Sequence, residues 1–399
     1  MTHADAPDRR RDVRTILIAQ AIRAAAYGFG AVLLGASLDA RGASGIEVGL
    51  VLSAIVTGTI LASLVVARRG ERIGRRRMYA VLFLVLAATG IVFGASTDPL
   101  VLALVGLLGA MSTDVIESGP FTSLEQPMLA DASPVALARV FGRYNAVAAI
   151  AGALGALAAG APGRVATSPT AADHRLFLVL VPVGLVGAAL ALRLSPAVEV
   201  ARPSDGSVPR LDRSRSTVSK LAALFAVDSF AGGFTVQSFV AFWLAREFGA
   251  SVTQLAVLFA TAGLVQAGSF LLAPRVGERF GLLPTMVFTH VPSNLMLAAI
   301  PLAPSFGVAA ALLLGRYSLG QMDVPTRQAY VMALVDPTER TAAAAYTNSA
   351  RYVARPLGPL LAGAAQATMP GLPFLVAGGL KTLYDLALWT WFRRVPLPT

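Results

Sequence analysis

Several ionisable side chains stand deep inside apolar runs, where a charge is costly unless it has a task. Arg23 lies nine residues into a hydrophobic run that begins at residue 14, and Asp228 ten residues into one that begins at 218. At helical rise, nine residues are about 14 Å. An opposite-sign couple at such depth can pair with itself or hold a solute and a proton between its members. A pair that never breaks is the plainer alternative. Asp114 and Glu117 are three apart, hence on one helical face. Two neighbouring carboxyls in a dry setting cannot both stay ionised, so one is expected to carry a proton part of the time. Permanent pairing with Arg316 is the competing reading.

Further groups extend the pattern. Run 306–334 carries Arg316, Gln321, Asp323 and Arg327, and Arg351 and Arg355 are one turn apart. The two arginines either neutralise Asp323, Asp228 and the 114/117 acids, or bind an anionic solute in bidentate fashion. Tyr27 and Gln237 complete the expected lining. Lys381 and Asp385, spaced i,i+4, are expected to neutralise each other, and His290 beside Pro292 is expected to be a helix-kink contact, with a proton relay as the alternative. Glu125 and Gln126 are expected to be helix-end contacts.

The elements that must carry these groups are read from composition. Of 399 residues, 55% are hydrophobic and only 14% charged, with mean hydropathy +0.66. A soluble chain of this length needs more polar surface, whereas a chain solvated by lipid does not. There is no cysteine and there are three scattered histidines, which argues against disulfide, thiolate or metal chemistry. Twelve apolar runs can cross a bilayer: 14–38, 46–67, 78–96, 99–130, 138–161, 175–194, 218–245, 252–273, 283–302, 306–334, 341–367 and 371–392. The Pro- and Ser-containing stretch 195–217 reads as a flexible linker. The expected organisation is a tail over 1–13, six helices over 14–194, the linker, six helices over 218–392 and a tail over 393–399. The net charge of +11 is topological: 23 of the 33 Lys and Arg fall on one side of these spans, against Arg41, Arg164, Arg175 and Arg246 on the other. By the positive-inside rule both termini are cytoplasmic, and the basic side meets lipid headgroups rather than nucleic acid.

The chain also repeats itself. "ARRGERIGRRR" (67–77) and "APRVGERFG" (273–281) share Gly-Glu-Arg-x-Gly at an offset of 207. Gly28, Phe29, Ala40 and Arg41 match Gly233, Phe234, Ala245 and Arg246 at an offset of 205. "NAVAAIAGALGALAAG" (145–160) matches "NSARYVARPLGPLLAG" (348–363) at 203. A nearly constant displacement indicates a duplicated six-helix unit, and it places Arg23 upon Asp228.

On these residues the chain resembles the major facilitator superfamily. "ARRGERIGRRR" is similar to its loop signature Gly-x-x-x-Asp-Arg-x-Gly-Arg-Arg, with Glu71 for the acid, Arg72 and Gly74 matching, Arg75 and Arg76 as the basic pair, and Ala67 replacing the leading glycine. The resemblance covers essentially the whole chain and is nearest a prokaryotic branch of mostly unassigned substrates. It implies an all-α membrane protein of twelve transmembrane helices in two pseudo-symmetric six-helix bundles. It also implies a conformational latch at Glu71, Arg72, Gly74, Arg75 and Arg76, shut when the protein faces outward, with Glu278, Arg279 and Gly281 as the second copy.

The expected function is secondary active transport of a small organic solute by alternating access across the inner membrane of a bacterium or archaeon. Proton-coupled efflux is preferred. Proton-coupled uptake of an organic anion through Arg23, Arg351 and Arg355 is the alternative, and a transport-inactive sensor or scaffold is the rival of another class. No Gly-x-x-x-x-Gly-Lys occurs, which argues against ATP-driven pumping, and no nucleophile–base set suggests an enzyme. No cofactor is implied. The expected partners are the solute, protons and the bilayer, with the chain a monomer.

Overall fold

A computed structural model describes residues 6–112, 119–132, 137–161, 173–199, 211, 214–335 and 339–395. Helices account for the architecture: α1 (Ala6–Ala40), α2 (Gly45–Ile73), α3 (Arg75–Ala95), α4 (Pro99–Gly106), α5 (Pro120–Ala132), α6 (Leu137–Ala159), α7 (Leu180–Leu192), α8 (Arg215–Gly233), α9 (Gln237–Phe248), α10 (Val252–Phe280), α11 (Leu282–Ala299), α12 (Phe306–Gly320), α13 (Asp323–Leu334), α14 (Arg340–Ala354), α15 (Leu357–Thr368) and α16 (Leu372–Phe392). Among the described residues, seven helical segments are long and apolar enough to cross a membrane. Their outward side chains include Leu61, Leu64, Leu84, Leu185, Leu271 and Phe288, all exposed, as a lipid-solvated surface requires.

Four of the expected continuous spans are broken. Run 99–130 stops after α4, where Gly109 adopts φ +73, and resumes at α5 after Gly119 with φ +56. Run 306–334 is interrupted at Gln321–Met322, run 341–367 at Arg355–Pro356, and run 218–245 between Gly233 and Gln237. Left-handed glycines and a proline account for two of the breaks. Non-helical backbone at membrane depth is tolerated where protein surrounds it.

The duplication is visible in backbone detail. Ser44 and Glu47 form a capping box, with the Ser44 amide donating to the Glu47 carboxylate over 2.7 Å; Ser251 and Gln254 repeat it at 2.9 Å. Gly42 and Gly249 both have positive φ, +68 and +62. Gly74 and Gly281, in the repeated charged turns, open α3 and α11 at φ +95 and +90. Every one of these pairs is separated by 207 residues, the offset read from the charged turn.

Contacts group the described residues into two compact units, one drawn from 1–43, 50–204 and 237–263, the other from 44–49, 205–236 and 264–399. In the first, α1 packs chiefly on α6 and α3 on α7; in the second, α8 packs on α14 and α11 on α16. These are equivalent pairings of the repeat. The first unit also takes in α9, because Gly35 lets α1 approach the backbone of Ser238 and Phe242. The second unit's core joins Val218, Leu221 and Phe225 to Met286, Tyr330, Tyr384 and Leu388.

Candidate functional site

Each unit encloses its own cluster of buried charge. In the first, Arg23 lies within α1 and is fully buried. Its Nη2 meets Glu125 Oε2 of α5 at 2.7 Å, both side chains being 0% exposed. The Glu125 carboxylate also accepts from the Tyr79 hydroxyl of α3 at 2.6 Å and from the Tyr144 hydroxyl of α6. Four helices therefore converge on one carboxylate. The Arg23 guanidinium lies 4.9 Å from the Phe121 ring centroid and 5.4 Å from that of Tyr27, so aromatic faces cover it where carboxylate does not. Its Nε and Nη1 find no acceptor among the described residues. Tyr27 donates to the Ala110 carbonyl, which holds α1 beside the break after α4.

In the second unit the buried acid is Asp228 of α8, which aligns with Arg23 at the repeat offset of 205. Lys381 Nζ of α16 donates to Asp228 Oδ1, and Arg327 Nη1 of α13 to Oδ2 at 3.3 Å. The same Arg327 nitrogen is 2.9 Å from Asp323 Oδ2. Arg327 also covers the Phe225 ring at 5.4 Å. Beside this group, Asp385 Oδ1 lies 3.0 Å from His290 Nδ1 of α11, and Asp385 Oδ2 accepts from Asn294 Nδ2 at 2.8 Å. The Tyr384 ring stands edge-on to His290.

Several expectations are thereby corrected. Arg23 and Asp228 align at the repeat offset, yet among the described residues each takes its partners from its own unit: Glu125 for Arg23, Lys381 and Arg327 for Asp228. Lys381 and Asp385 do not neutralise each other, because Lys381 turns to α8 and Asp385 to α11. His290 is more than a kink contact, although Pro292 does lie inside α11. Glu125 is not a helix-end contact but the centre of the first cluster.

Of the other expected residues, Asp114 and Glu117 lie outside the described residues. Arg316 is half-buried with its guanidinium 5.2 Å from the Tyr317 ring centroid, and its carbonyl accepts from Ser293. Gln237 is half-buried at the start of α9, and Gln321 half-buried in the turn before α13. Arg351 and Arg355, half-buried, flank the end of α14. Glu125, Tyr79 and Tyr144 were not expected at the site. An acid within an apolar run was the only signal for them.

At the first charged turn, Gly74 leads into α3 and the Glu199 carboxylate accepts from the Arg75 and Arg76 amides at 2.6 and 3.1 Å. Arg75 and Arg76 donate through their guanidinium groups to the Val198 and Leu192 carbonyls. Asp12 accepts from the Ser195 amide at 2.9 Å. The start of the expected flexible linker is thus a bonded turn over Pro196–Glu199, since an acid at a helix N-terminus satisfies amides that have no helical partner. Arg72 is exposed, and the Glu71 side chain lies outside the described residues. In the second copy Glu278 is exposed and Arg279 lies 5.4 Å from the Phe280 ring centroid.

The chain is 25% identical over 425 residues to an uncharacterized membrane protein of Saccharomyces cerevisiae, YJR124C, covering 96% of this chain and 95% of that one. Its fold matches the crystal structure of the nucleoside transporter NupG with a TM-score of 0.75 at 14% identity, covering 96% of this chain and 99% of that one. A D-xylose–proton symporter matches with a TM-score of 0.74 at 13% identity, over 97% and 98% of the two chains. Twelve transmembrane helices in two pseudo-symmetric six-helix bundles are the architecture these findings support. The profile of the Major Facilitator Superfamily matches residues 16–359, most of the sequence, and the chain belongs to that superfamily.

Proposed function

We propose that the protein is a secondary active transporter that exports a small organic solute from the cytoplasm by alternating access, in exchange for protons. The observation that carries this reading is the pair of buried charge clusters, one in each unit, centred on Arg23–Glu125 and on Asp228–Lys381, with Arg23 and Asp228 related by the repeat offset of 205. A scaffold gains nothing from buried ion pairs that hydrophobic side chains of like volume would match or better in stability. A machine with two alternating arrangements can use them, since a charge that changes partner or hydration between states biases one state over the other. On this reading Asp114, Glu117, Gln237, Arg316, Gln321, Arg351 and Arg355 line the solute path, and the two glycine-opened charged turns act as the latch. The chain works as a monomer in the inner membrane with both termini cytoplasmic, as its arginine distribution favours.

A thermal-shift screen of the purified chain against metabolites and drugs, at two pH values, identifies a stabilising solute. Counterflow of that solute, radiolabelled, in proteoliposomes then tests transport. Saturable exchange is expected, weakened at least tenfold in Asp228→Asn. Folded protein that stabilises no solute and exchanges none supports the scaffold reading instead.

A further inference from the structure

The two clusters differ in what a proton would do to them. Glu125 faces the fixed cation Arg23 and two phenol donors. Asp228 faces two cations, Lys381 and Arg327, and Asp323 faces Arg327. Protonating any of these three acids would strand a buried guanidinium or ammonium, an arrangement that costs several kcal/mol. Counted as charges, Arg23 with Glu125 sums to zero, and so does the group of Asp228, Asp323, Lys381 and Arg327.

Asp385 is the exception. Its two oxygens face an imidazole and a carboxamide, His290 and Asn294, neither of which carries a fixed charge. Without a proton the His290–Asp385 couple is a buried anion, and with two it is a buried cation. Only with one is it neutral, whether that proton rides on the ring nitrogen or on the carboxyl oxygen. Among the described residues, the cations near the couple are engaged elsewhere. Lys381, one turn before Asp385 on α16, is committed to Asp228, and Arg327 of α13 to Asp228 and Asp323. Arg316 of α12 lies over Tyr317, Tyr384 turns its ring edge to His290, and α15 carries no ionisable residue. Arg215 and Lys220 of α8 are exposed at its far end.

We propose that the His290–Asp385 couple, held between α11 and α16 with Asn294 as its positioning donor, is a single-proton binding site, and that Asp228 is not. The couple takes up one proton in its buried arrangement and releases it, as the pH rises, through conformations that admit water. This deepens the proton-exchange reading above, on which its link to solute movement rests; proton binding itself does not depend on that reading.

The test is solid-state NMR of the full chain in lipid bilayers, labelled with 13Cγ-aspartate and 15N-histidine. There are three histidines, His3, His174 and His290, so His290→Gln assigns the ring signals and Asp385→Asn assigns the carboxyl. Over about pH 5 to about pH 9, the Asp385 carboxyl and His290 ring are expected to change together in one interval, as coupled groups do. The Asp228 and Asp323 carboxyls are expected to stay constant. In Asp385→Asn the His290 interval should move by about one pH unit or more. Should that variant not fold, the Asp385 interval in His290→Gln is expected to move instead. An Asp385 signal that is constant while Asp228 changes, or a ring response unmoved in the variant, overturns the proposal. If the interval moves as expected but solute exchange proves independent of pH, the transport coupling fails and the proton site stands.

Discussion

Replacing Glu125 by glutamine removes the one anion that the described residues place in a fully buried cluster. Arg23 is 0% exposed, and among the described residues its one charged partner is Glu125 at 2.7 Å. With about 4 Å between charge centres and an effective dielectric constant near ~20, the attraction is about 4 kcal/mol. Breaking one side of a buried pair costs about 3–5 kcal/mol in general, because the remaining charge is stranded. The glutamine can still accept from Tyr79 or Tyr144, so most of the loss should come from Arg23. Glu125→Gln is therefore expected to destabilise the protein by about 3–5 kcal/mol. Arg23→Met should cost a similar amount, since Glu125 would keep only its phenol donors. The double variant should recover at least about 2 kcal/mol relative to the sum of the singles, because neither charge is left alone. The assay is reversible unfolding in mixed micelles, run as a double-mutant cycle. Single costs under about 1 kcal/mol, or strictly additive costs, would refute the claim that this pair is dry and mutually dependent.

Lys381→Met leaves Asp228 with Arg327 alone at 3.3 Å and should cost about 2–3 kcal/mol, partly restored by adding Asp228→Asn; the same unfolding assay reads it. A side chain at Gly155 would bring its Cβ within 1.8 Å of the Ala25 carbonyl oxygen, whereas Gly268 has nothing within 4 Å. Gly155→Val should thus separate α1 from α6 and lower stability by about 3 kcal/mol or more, while Gly268→Ala should be silent, as read by melting temperature. Gly74→Ala and Gly281→Ala force φ +95 and +90 on a residue with a Cβ and should each cost about 1–2 kcal/mol. Equal losses at the two positions in unfolding would bear out the structural equivalence of the charged turns. Glu199→Ala removes the acceptor for the Arg75 and Arg76 amides and should cost about 1 kcal/mol, with faster hydrogen exchange at the start of α3.

The frame of the molecule was legible because its signals are local or periodic. Runs of apolar residues, a charged Gly-Glu-Arg-x-Gly turn and a constant offset suffice to place helices and to find Gly74 and Gly281. Charge partners were not legible. Lys381 and Asp385 satisfy the i,i+4 rule, yet one turns to Asp228 and the other to His290. Helix rotation and depth decide such choices, and neither is encoded in the spacing along one helix. Glu125 illustrates the same limit: its partners Arg23, Tyr79 and Tyr144 come from three other helices, 102, 46 and 19 residues away. The helix breaks at Gly109 and Gly119 were hidden because both residues sit in a run whose hydropathy alone reads as continuous.

Coupled exchange of solute and protons can be read directly in inverted membrane vesicles that are acid-loaded and carry a pH-sensitive dye. A stabilising solute added outside is expected to drive saturable proton efflux, abolished in Asp385→Asn and weakened in Asp228→Asn. Solute that enters wild-type vesicles without moving protons, or proton efflux identical in all three proteins, would contradict the account.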